Sequence, residues 1–154
     1  MDIAVVVVGL GYGDESKGAW VDYLTRQLDS KLTVRFTGGP QSSHRVELPD
    51  GTSHIFSQFG AGTLAGAKTY LGPAMVINPS FMRNELYHLI EITGAGPGEL
   101  VANHHIDKRC LVVTPYHIIV NRAREMARDA SPEGRHGTTG YGIYECLQHA
   151  KAHA

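Results

Sequence analysis

The residues best suited to chemistry lie in one short glycine-rich stretch near the start of the chain. It reads Gly11-Tyr-Gly-Asp-Glu-Ser-Lys-Gly18. A glycine-rich turn that leads into a helix directs backbone N–H groups and the helix dipole at one point, which suits phosphate. A tight turn whose glycines only supply positive φ is the alternative. The residues that we predict to bind phosphate or nucleotide here are Gly13, Asp14, Glu15, Ser16, Lys17 and Gly18.

The two acids of this loop limit what it can bind. A Walker loop needs a glycine before its lysine and Ser or Thr after it, but this chain has Ser16 and Gly18 there. A dinucleotide fingerprint needs an acid at the end of the second strand, which reads Val34-Arg-Phe36. Carboxylates repel phosphate unless a cation lies between them, so Asp14 implies Mg²⁺ or a base acting on the substrate. For Glu15 we prefer a solvated acid in the first helical turn.

A second polar loop follows the next predicted strand and ends at a histidine. The stretch 34–44 reads VRFTGGPQSSH. Ligands collect at the carboxyl ends of strands in a doubly wound sheet, so we expect His44 within a cleft's width of Asp14 and Lys17. His44 would donate a proton or hydrogen bond to a developing anion, with a purely structural histidine as the alternative. Gln41 carries an amide that can contact a base edge or a carbonyl.

The elements that must position these loops alternate between strand and helix patterns. Ile3 to Val8 is a β-branched run typical of a central, fully buried parallel strand. A helix at Lys17 to Leu28 and a strand at Leu32 to Phe36 would complete a βαβ unit. Further predictions are a hairpin around 49–51, strands at 75–77, 100–102 and 111–114, and helices at 80–92, 115–128 and the C-terminus. The pattern predicts one α/β domain over 1–154, with a mainly parallel sheet, flanking helices and a β-hairpin insertion.

Composition excludes several other classes of protein. The 154 residues are 42% hydrophobic and 19% charged with a formal charge of −1, which argues against a nucleic-acid partner. No apolar run reaches the roughly 20 residues that cross a bilayer, and no secretion signal is recognisable, so we expect no membrane partner. Cys110 and Cys146 have neither metal spacing nor a disulfide framework. We therefore expect a cytoplasmic protein.

Four blocks of the chain resemble the adenylosuccinate synthetases. G-Y-G-D-E-S-K-G-A-W-V-D-Y-L resembles the W-G-D-E-G-K-G start of that family, and V-R-F-T-G-G-P-Q-S-S-H resembles its V-R-(F/Y)-x-G-G-x-N-A-G-H. T-P-Y-H-I-I-V-N-R-A-R-E resembles Y-H-x-x-x-D-x-A-R-E, and R-H-G-T-T-G-Y-G-I-Y-E resembles G-T-T-G-R-G-I-G-P. The blocks follow the family's order, so the resemblance implies a P-loop-NTPase-like nucleotide-binding core.

The resemblance also implies a reaction and roles for single residues. The family joins aspartate to C6 of a purine nucleotide, usually IMP, with GTP as co-substrate and Mg²⁺, through a 6-phosphoryl intermediate. Asp14 matches the base that takes the N1 proton and also contacts the metal. His44 matches the acid that assists transfer of the γ-phosphate. The implied binding residues are Lys17 for phosphate, Gln41 for the nucleotide, Thr138 and Thr139 for the nucleotide phosphate, and the carbonyl of Ser43 for Mg²⁺.

Four positions depart from the family pattern. Ser16 replaces a loop glycine, so we expect its φ to suit a residue with a Cβ. Ser43 replaces another glycine, Gln41 is one methylene longer than asparagine, and Tyr141 replaces an arginine. Two alternatives stay open: a branch that acts on (d)GMP to give 2-aminoadenylosuccinate, or a phosphate-binding module without ligase activity. The expected partners are a purine nucleotide, GTP and aspartate, with a homodimer or the remainder of a longer chain.

Overall fold

The computed structural model describes residues 3–129 and 137–153. A 3₁₀ turn covers Thr63–Ala65. The helices and strands, in chain order, are α1 Lys17–Gln27, β1 Leu32–Gly38, β2 His44–Glu47, β3 Ser53–Phe56, β4 Lys68–Ile77, α2 Pro79–Thr93, α3 Pro97–Ala102, β5 His104–Ile106, β6 Leu111–Val112, α4 Pro115–Asp129 and α5 Ile143–Ala152. Among these residues no helix is both long and apolar enough to cross a membrane.

A parallel sheet centred on β4 organises the fold. β1 pairs with one side of β4, and β5 and then β6 pair with its other side. Gly38 at the end of β1 lies opposite Met75, and Val112 at the end of β6 lies opposite Ile77. The carboxyl ends of β1, β4 and β6 therefore meet at one edge of the sheet. The α/β architecture with a parallel sheet and flanking helices is confirmed.

The hairpin between β1 and β4 also forms as predicted. β2 and β3 pair antiparallel, with His44 opposite Phe56 and Glu47 opposite Ser53. The Asp50 carboxylate accepts a hydrogen bond of 2.8 Å from the Thr52 N–H, which closes the turn. His44 is thereby fixed at the first position of a paired strand.

Helix α2 begins where the sequence places a cap. Pro79 occupies the first turn, and the Asn78 side chain accepts hydrogen bonds from the Ser80 and Phe81 N–H groups. The buried face of the helix carries Leu89 into the largest apolar cluster, which also includes Phe56 from the hairpin. The hairpin and α2 are therefore held together by one core.

The predicted strand at Ile3 to Val8 is wrong. In the described residues this stretch pairs with no other strand, and Ile3 and Val8 are 70% and 67% exposed. β-Branched residues favour strand geometry, but a strand also needs a neighbour that supplies hydrogen bonds and buries its side chains. Among the described strands, β1 pairs only with β4, so its other edge is unpaired.

The predicted strand at 100–102 is wrong as well. Those residues form the end of α3, which starts at Pro97 with a proline in its first turn. The strand follows at His104–Ile106. Three apolar residues cannot distinguish a helical turn from a short strand, so the proline was the better signal.

Candidate functional site

The glycine-rich loop approaches α1 through a left-handed backbone. Gly13 has φ 120°, and Asp14 and Ser16 both have φ 53°. The expectation for Ser16 is therefore wrong, because this is a region that residues with a Cβ rarely adopt. Ser16 is the N-cap of α1, yet its side chain makes no capping hydrogen bond. The first N–H groups of α1 are left without a side-chain cap, as an anion site at a helix N-terminus requires.

Glu15 is held inside the loop. Its carboxylate accepts hydrogen bonds from the Gly11 N–H at 2.6 Å and from Lys17 Nζ at 2.8 Å. These two bonds lower the pKa of Glu15, that of Lys17 most. The expected solvated acid of a first helical turn is wrong, since α1 begins only at Lys17. Glu15 instead contacts an N–H and an ammonium group that a phosphate would also use.

The start of α1 packs directly against the start of β2. A Cβ placed on Gly18 would lie 2.7 Å from His44 Cβ and 3.1 Å from the Arg45 carbonyl oxygen. Only glycine permits this approach, which joins the first loop to the histidine of the second. Desolvation, with the positive charges of Arg35 and Lys17, lowers the pKa of His44 to about 4. At neutral pH the imidazole is neutral and offers one N–H to an acceptor.

The second loop, residues 38–44, is a tight turn at the carboxyl end of β1. Gly38 has φ 118°, and the Ser42 N–H donates to the Gly39 carbonyl at 2.9 Å. Gln41 and Ser43 are exposed on this turn. The structure therefore places Gln41, Ser43 and His44 on one short segment beside the α1 N-terminus.

A third segment, residues 137–142, lies beside this turn. A Cβ on Gly39 would lie 3.2 Å from Cδ1 of Ile143, the first residue of α5. Thr138 is fastened to α4, because its hydroxyl donates to Asn121 Oδ1 at 3.3 Å. Thr139 is exposed one residue further on. Three loops that are far apart in sequence are thus joined through contacts at Gly18 and Gly39.

Asp14 stands apart from these contacts. It is exposed, and within residues 3–129 and 137–153 no side chain or N–H group makes a hydrogen bond or ion pair with its carboxylate. An exposed carboxylate without a protein partner is available to a ligand. The structure does not pair it with His44.

Sequence reasoning missed two buried charged residues behind the loops. Arg35 on β1 is 7% exposed, and Glu85 on α2 is 8% exposed. Arg35 donates to the Ser42 and Phe59 carbonyls, and Glu85 accepts from the N–H groups of 57–59. An arginine inside an apolar strand pattern was the available signal, since such a charge is buried only when it has partners.

Comparison with known proteins decides the family. A family model described as adenylosuccinate synthetase matches residues 6–153. The chain belongs to the adenylosuccinate synthetase family. It is 35% identical over 140 residues to the adenylosuccinate synthetase of Methylibium petroleiphilum, covering 90% of this chain and 30% of the relative. It is 37% identical over 146 residues to that of Oleidesulfovibrio alaskensis, covering 94% and 32%. The chain spans about a third of the length of these relatives.

Solved structures share the fold of this chain. The fully ligated enzyme from Plasmodium falciparum matches with a TM-score of 0.71 and 25% identity, over 92% of this chain and 31% of that one. The succinoaminodeoxyadenylate synthetase of cyanophage S-2L, bound to dGMP and dATP, matches with a TM-score of 0.52 and 20% identity, over 90% and 41%. The second likeness concerns the fold alone.

Membership of the adenylosuccinate synthetase family implies a bound Mg²⁺, and the loops contain oxygen ligands that suit this ion. The described residues contain no group of three His, Cys, Asp or Glu side chains that could hold a metal. Mg²⁺ in phosphoryl-transfer sites is usually held by one or two protein oxygens together with substrate phosphates and water. The Asp14 carboxylate and the Ser43 carbonyl are oxygen donors of that kind. Glu15 is engaged by Gly11 and Lys17 instead.

The position where adenylosuccinate synthetases carry an arginine is filled by an aromatic ring. The ring of Tyr141 lies 4.8 Å from that of Phe81 on α2. The third loop is therefore fastened to α2 by a ring contact, and the charge of the arginine is absent from this position.

Proposed function

We propose that this chain binds a purine nucleoside monophosphate across its three loops and supplies the base and the acid of a GTP-dependent ligase that joins aspartate to C6 of IMP. The observation that carries the proposal is the junction of the loops: Gly18 packs on His44, and Gly39 packs on Ile143. Family blocks that are separate in sequence thus lie at the carboxyl edge of one parallel sheet, where such folds bind ligands.

Phosphate binding is assigned to the first and third loops. The α1 N-terminus and Lys17 would face phosphate oxygens, and the exposed Thr139 would offer its N–H and hydroxyl. Thr138 would first have to release Asn121 and Glu125, to which its hydroxyl and N–H donate. Gln41, exposed on the second loop, would contact the nucleotide through its amide. Lys17 must leave Glu15 for a phosphate, which exchanges one charge-assisted hydrogen bond for another.

The proton transfers are assigned to Asp14 and His44. The exposed Asp14 carboxylate would take the N1 proton, which raises the electron density on O6 for attack at the γ-phosphorus of GTP. His44, neutral in its partly buried position, would donate its N–H to an oxygen of the transferring phosphoryl group. As a neutral imidazole His44 stabilises the phosphoryl group by this hydrogen bond and transfers no proton. To act as an acid it would first take a proton from solvent, and negative charge arriving beside it raises its pKa and favours that uptake. Mg²⁺ at Asp14 and Ser43 would neutralise charge on the phosphoryl oxygens.

Calorimetric titration of the whole chain with IMP, dGMP and GTP tests nucleotide choice. We expect IMP to bind with measurable heat and GTP to bind more weakly, because the matched blocks contact the substrate nucleotide. Tighter binding of dGMP than of IMP would favour the guanine-nucleotide branch. Micromolar, guanine-selective binding of GTP would contradict the assignment of these loops.

Turnover distinguishes a ligase from a binding module. The chain is mixed with IMP, GTP, aspartate and Mg²⁺, and adenylosuccinate is measured by chromatography. We expect Asp14→Asn to lower any turnover by about 10²–10⁴-fold, the usual contribution of a general base. An Asn variant with wild-type turnover would remove Asp14 from the mechanism. Nucleotide binding without product would make the chain a binding module.

A further inference from the structure

Arg35 holds together two backbone segments that meet beneath the second loop. Its Nη2 donates to the Ser42 carbonyl at 2.6 Å, and its Nη1 donates to the Phe59 carbonyl at 3.2 Å. Ser42 belongs to the turn that carries Gln41, Ser43 and His44. One planar guanidinium therefore links this turn to the chain segment after β3.

That segment is itself immobilised from α2. The Glu85 carboxylate accepts hydrogen bonds from the N–H groups of Ser57, Gln58 and Phe59 at 3.0, 2.6 and 3.1 Å. Desolvation opposes ionisation of this carboxyl, but the hydrogen bonds it accepts lower the pKa of Glu85 overall. The Phe59 carbonyl is thus held in place, and because Arg35 bonds both carbonyls, it holds the Ser42 carbonyl relative to that of Phe59.

The turn is fixed again at its far end. His44 pairs with Phe56 in the hairpin, and its Cβ lies against Gly18. Ser43 therefore lies between two held neighbours, the Ser42 carbonyl and the paired His44. The register of β1 against β4 breaks between Arg35 and Thr37, so Arg35 lies at an irregular point of the strand that leads into the turn.

We propose that Arg35 is a positioning residue that orients the turn 39–43 and thereby places Gln41, the Ser43 carbonyl and His44 for the nucleotide; this rests on the proposed function of that turn. Arg35 is buried, and Lys could reach only one of its two carbonyls at a time. A buried charge contributes little to stability compared with an apolar residue of similar size, so a role in stability alone does not account for it.

Hydrogen exchange of the backbone amides tests, in the absence of nucleotide, whether Arg35 orients the turn 39–43. The variants are Arg35→Lys and Arg35→Gln, with Arg83→Gln, an exposed arginine on α2, as the matched control. We expect exchange of the Ser42 amide, which donates to the Gly39 carbonyl, and of the paired His44 to accelerate about tenfold or more in Arg35→Gln, as loss of a hydrogen bond to a charged group implies. Exchange around Leu89 in the core of α2 should stay unchanged. Arg35→Lys, which keeps the charge, should show a smaller acceleration.

Two results would overturn the proposal. Unchanged exchange at Ser42 and His44 in folded Arg35→Gln would show that the turn orients itself, and acceleration at every amide would show a general structural role. If Arg35→Gln does not fold, Arg35→Lys decides by the same comparison.

Titration of the same variants with IMP tests whether the Arg35 hydrogen bonds to Ser42 and Phe59 affect nucleotide binding. Where the wild type binds IMP, the affinity should fall at least several-fold in Arg35→Gln and be unaffected in Arg83→Gln. Equal affinity in Arg35→Gln would overturn the positioning role. A wild type that binds no IMP contradicts the proposed function, and the exchange result then decides separately whether Arg35 orients the turn.

Discussion

At the scale of single residues, the first loop carries strain at Ser16. Its φ of 53° lies in the left-handed region, which costs a residue with a Cβ about 1–2 kcal/mol. Adenylosuccinate synthetases carry glycine at the matching position. The chain therefore keeps a backbone that suits glycine while its sequence has serine.

Ser16→Gly should relieve this strain. Glycine also loses more conformational entropy on folding, about 0.5–1 kcal/mol relative to alanine, so we expect a net gain of roughly 0.5–1 kcal/mol in the free energy of unfolding. Urea titration followed by circular dichroism measures it. Gly98→Ala, on α3 and outside the loop, adds a Cβ where Ser16→Gly removes one, and its free energy of unfolding provides the comparison. A destabilised Ser16→Gly variant would mean that the serine side chain stabilises the loop.

Glu15 determines how readily the same loop accepts a phosphate. Glu15→Gln removes the charge that holds Lys17 while keeping the side-chain size. We expect the affinity for IMP, measured by calorimetry, to rise several-fold, because Lys17 no longer leaves a carboxylate to reach phosphate. Glu91→Gln, which makes the same charge change on the exposed surface of α2, should leave the affinity unchanged. A fall in affinity in Glu15→Gln alone would show that Glu15 orders the loop for binding.

At the scale of elements, His104 on β5 links the sheet to the segment after β3. Its ring stacks on Phe59 with centroids 4.2 Å apart, and Nε2 lies 2.9 Å from the Gln58 carbonyl. Desolvation lowers the pKa of His104 below its ordinary value. The folded state therefore binds this proton less readily than the unfolded chain does.

Stability should fall as the pH drops below the ordinary histidine range. Because the unfolded chain binds a proton at His104 near pH 6.5, the free energy of unfolding should decrease as the pH falls from about 6.5 towards 5. Urea titrations at several pH values measure the slope, and His104→Gln should reduce it. An unchanged slope in His104→Gln would assign the pH dependence to other histidines.

The elements also show which parts of the fold a sequence can predict. Helices α1 and α2 were predictable from apolar spacing and Pro79, and the hairpin from Pro49-Asp-Gly51. The strand at Ile3 to Val8 was not, because local preference says nothing about whether a partner strand is present. The motifs named three loops for the candidate site, and the structure brings these loops together, while their role in binding stays a prediction. The motifs could not predict the hydrogen bond from Arg35 to the Phe59 carbonyl, because the two residues lie 24 positions apart.

At the scale of the whole molecule, β1 presents apolar side chains that nothing in the described residues covers. Leu32, Val34 and Phe36 are 48%, 52% and 65% exposed. Parallel sheets in α/β proteins are normally covered on both faces. Ile3, Val6 and Val8 are exposed apolar residues as well. The described part of the chain thus builds one edge of a nucleotide-binding fold and leaves the face of β1 open.

A cavity at the opposite edge of the sheet provides an internal control for ligand binding. This cavity of about 270 Å³ lies beside the amino end of β4 and is lined by Thr63, Leu64, Thr93 and Glu99 among others. It lacks the glycine-rich loop and the α1 N-terminus. A purine nucleotide bound by the proposed site should leave this cavity unaffected.

Titration of the isotope-labelled chain with IMP, followed by backbone amide resonances, tests whether one nucleotide binds across the three loops. We expect saturable shifts at Lys17, at Gln41 to His44 and at Thr139, with resonances around Glu99 unchanged. These positions come from three separate loops, so shifts that saturate together at one IMP concentration are the result expected for a ligand bound across all three. Shifts confined to the cavity at Glu99, or shifts at one loop alone, would contradict the account.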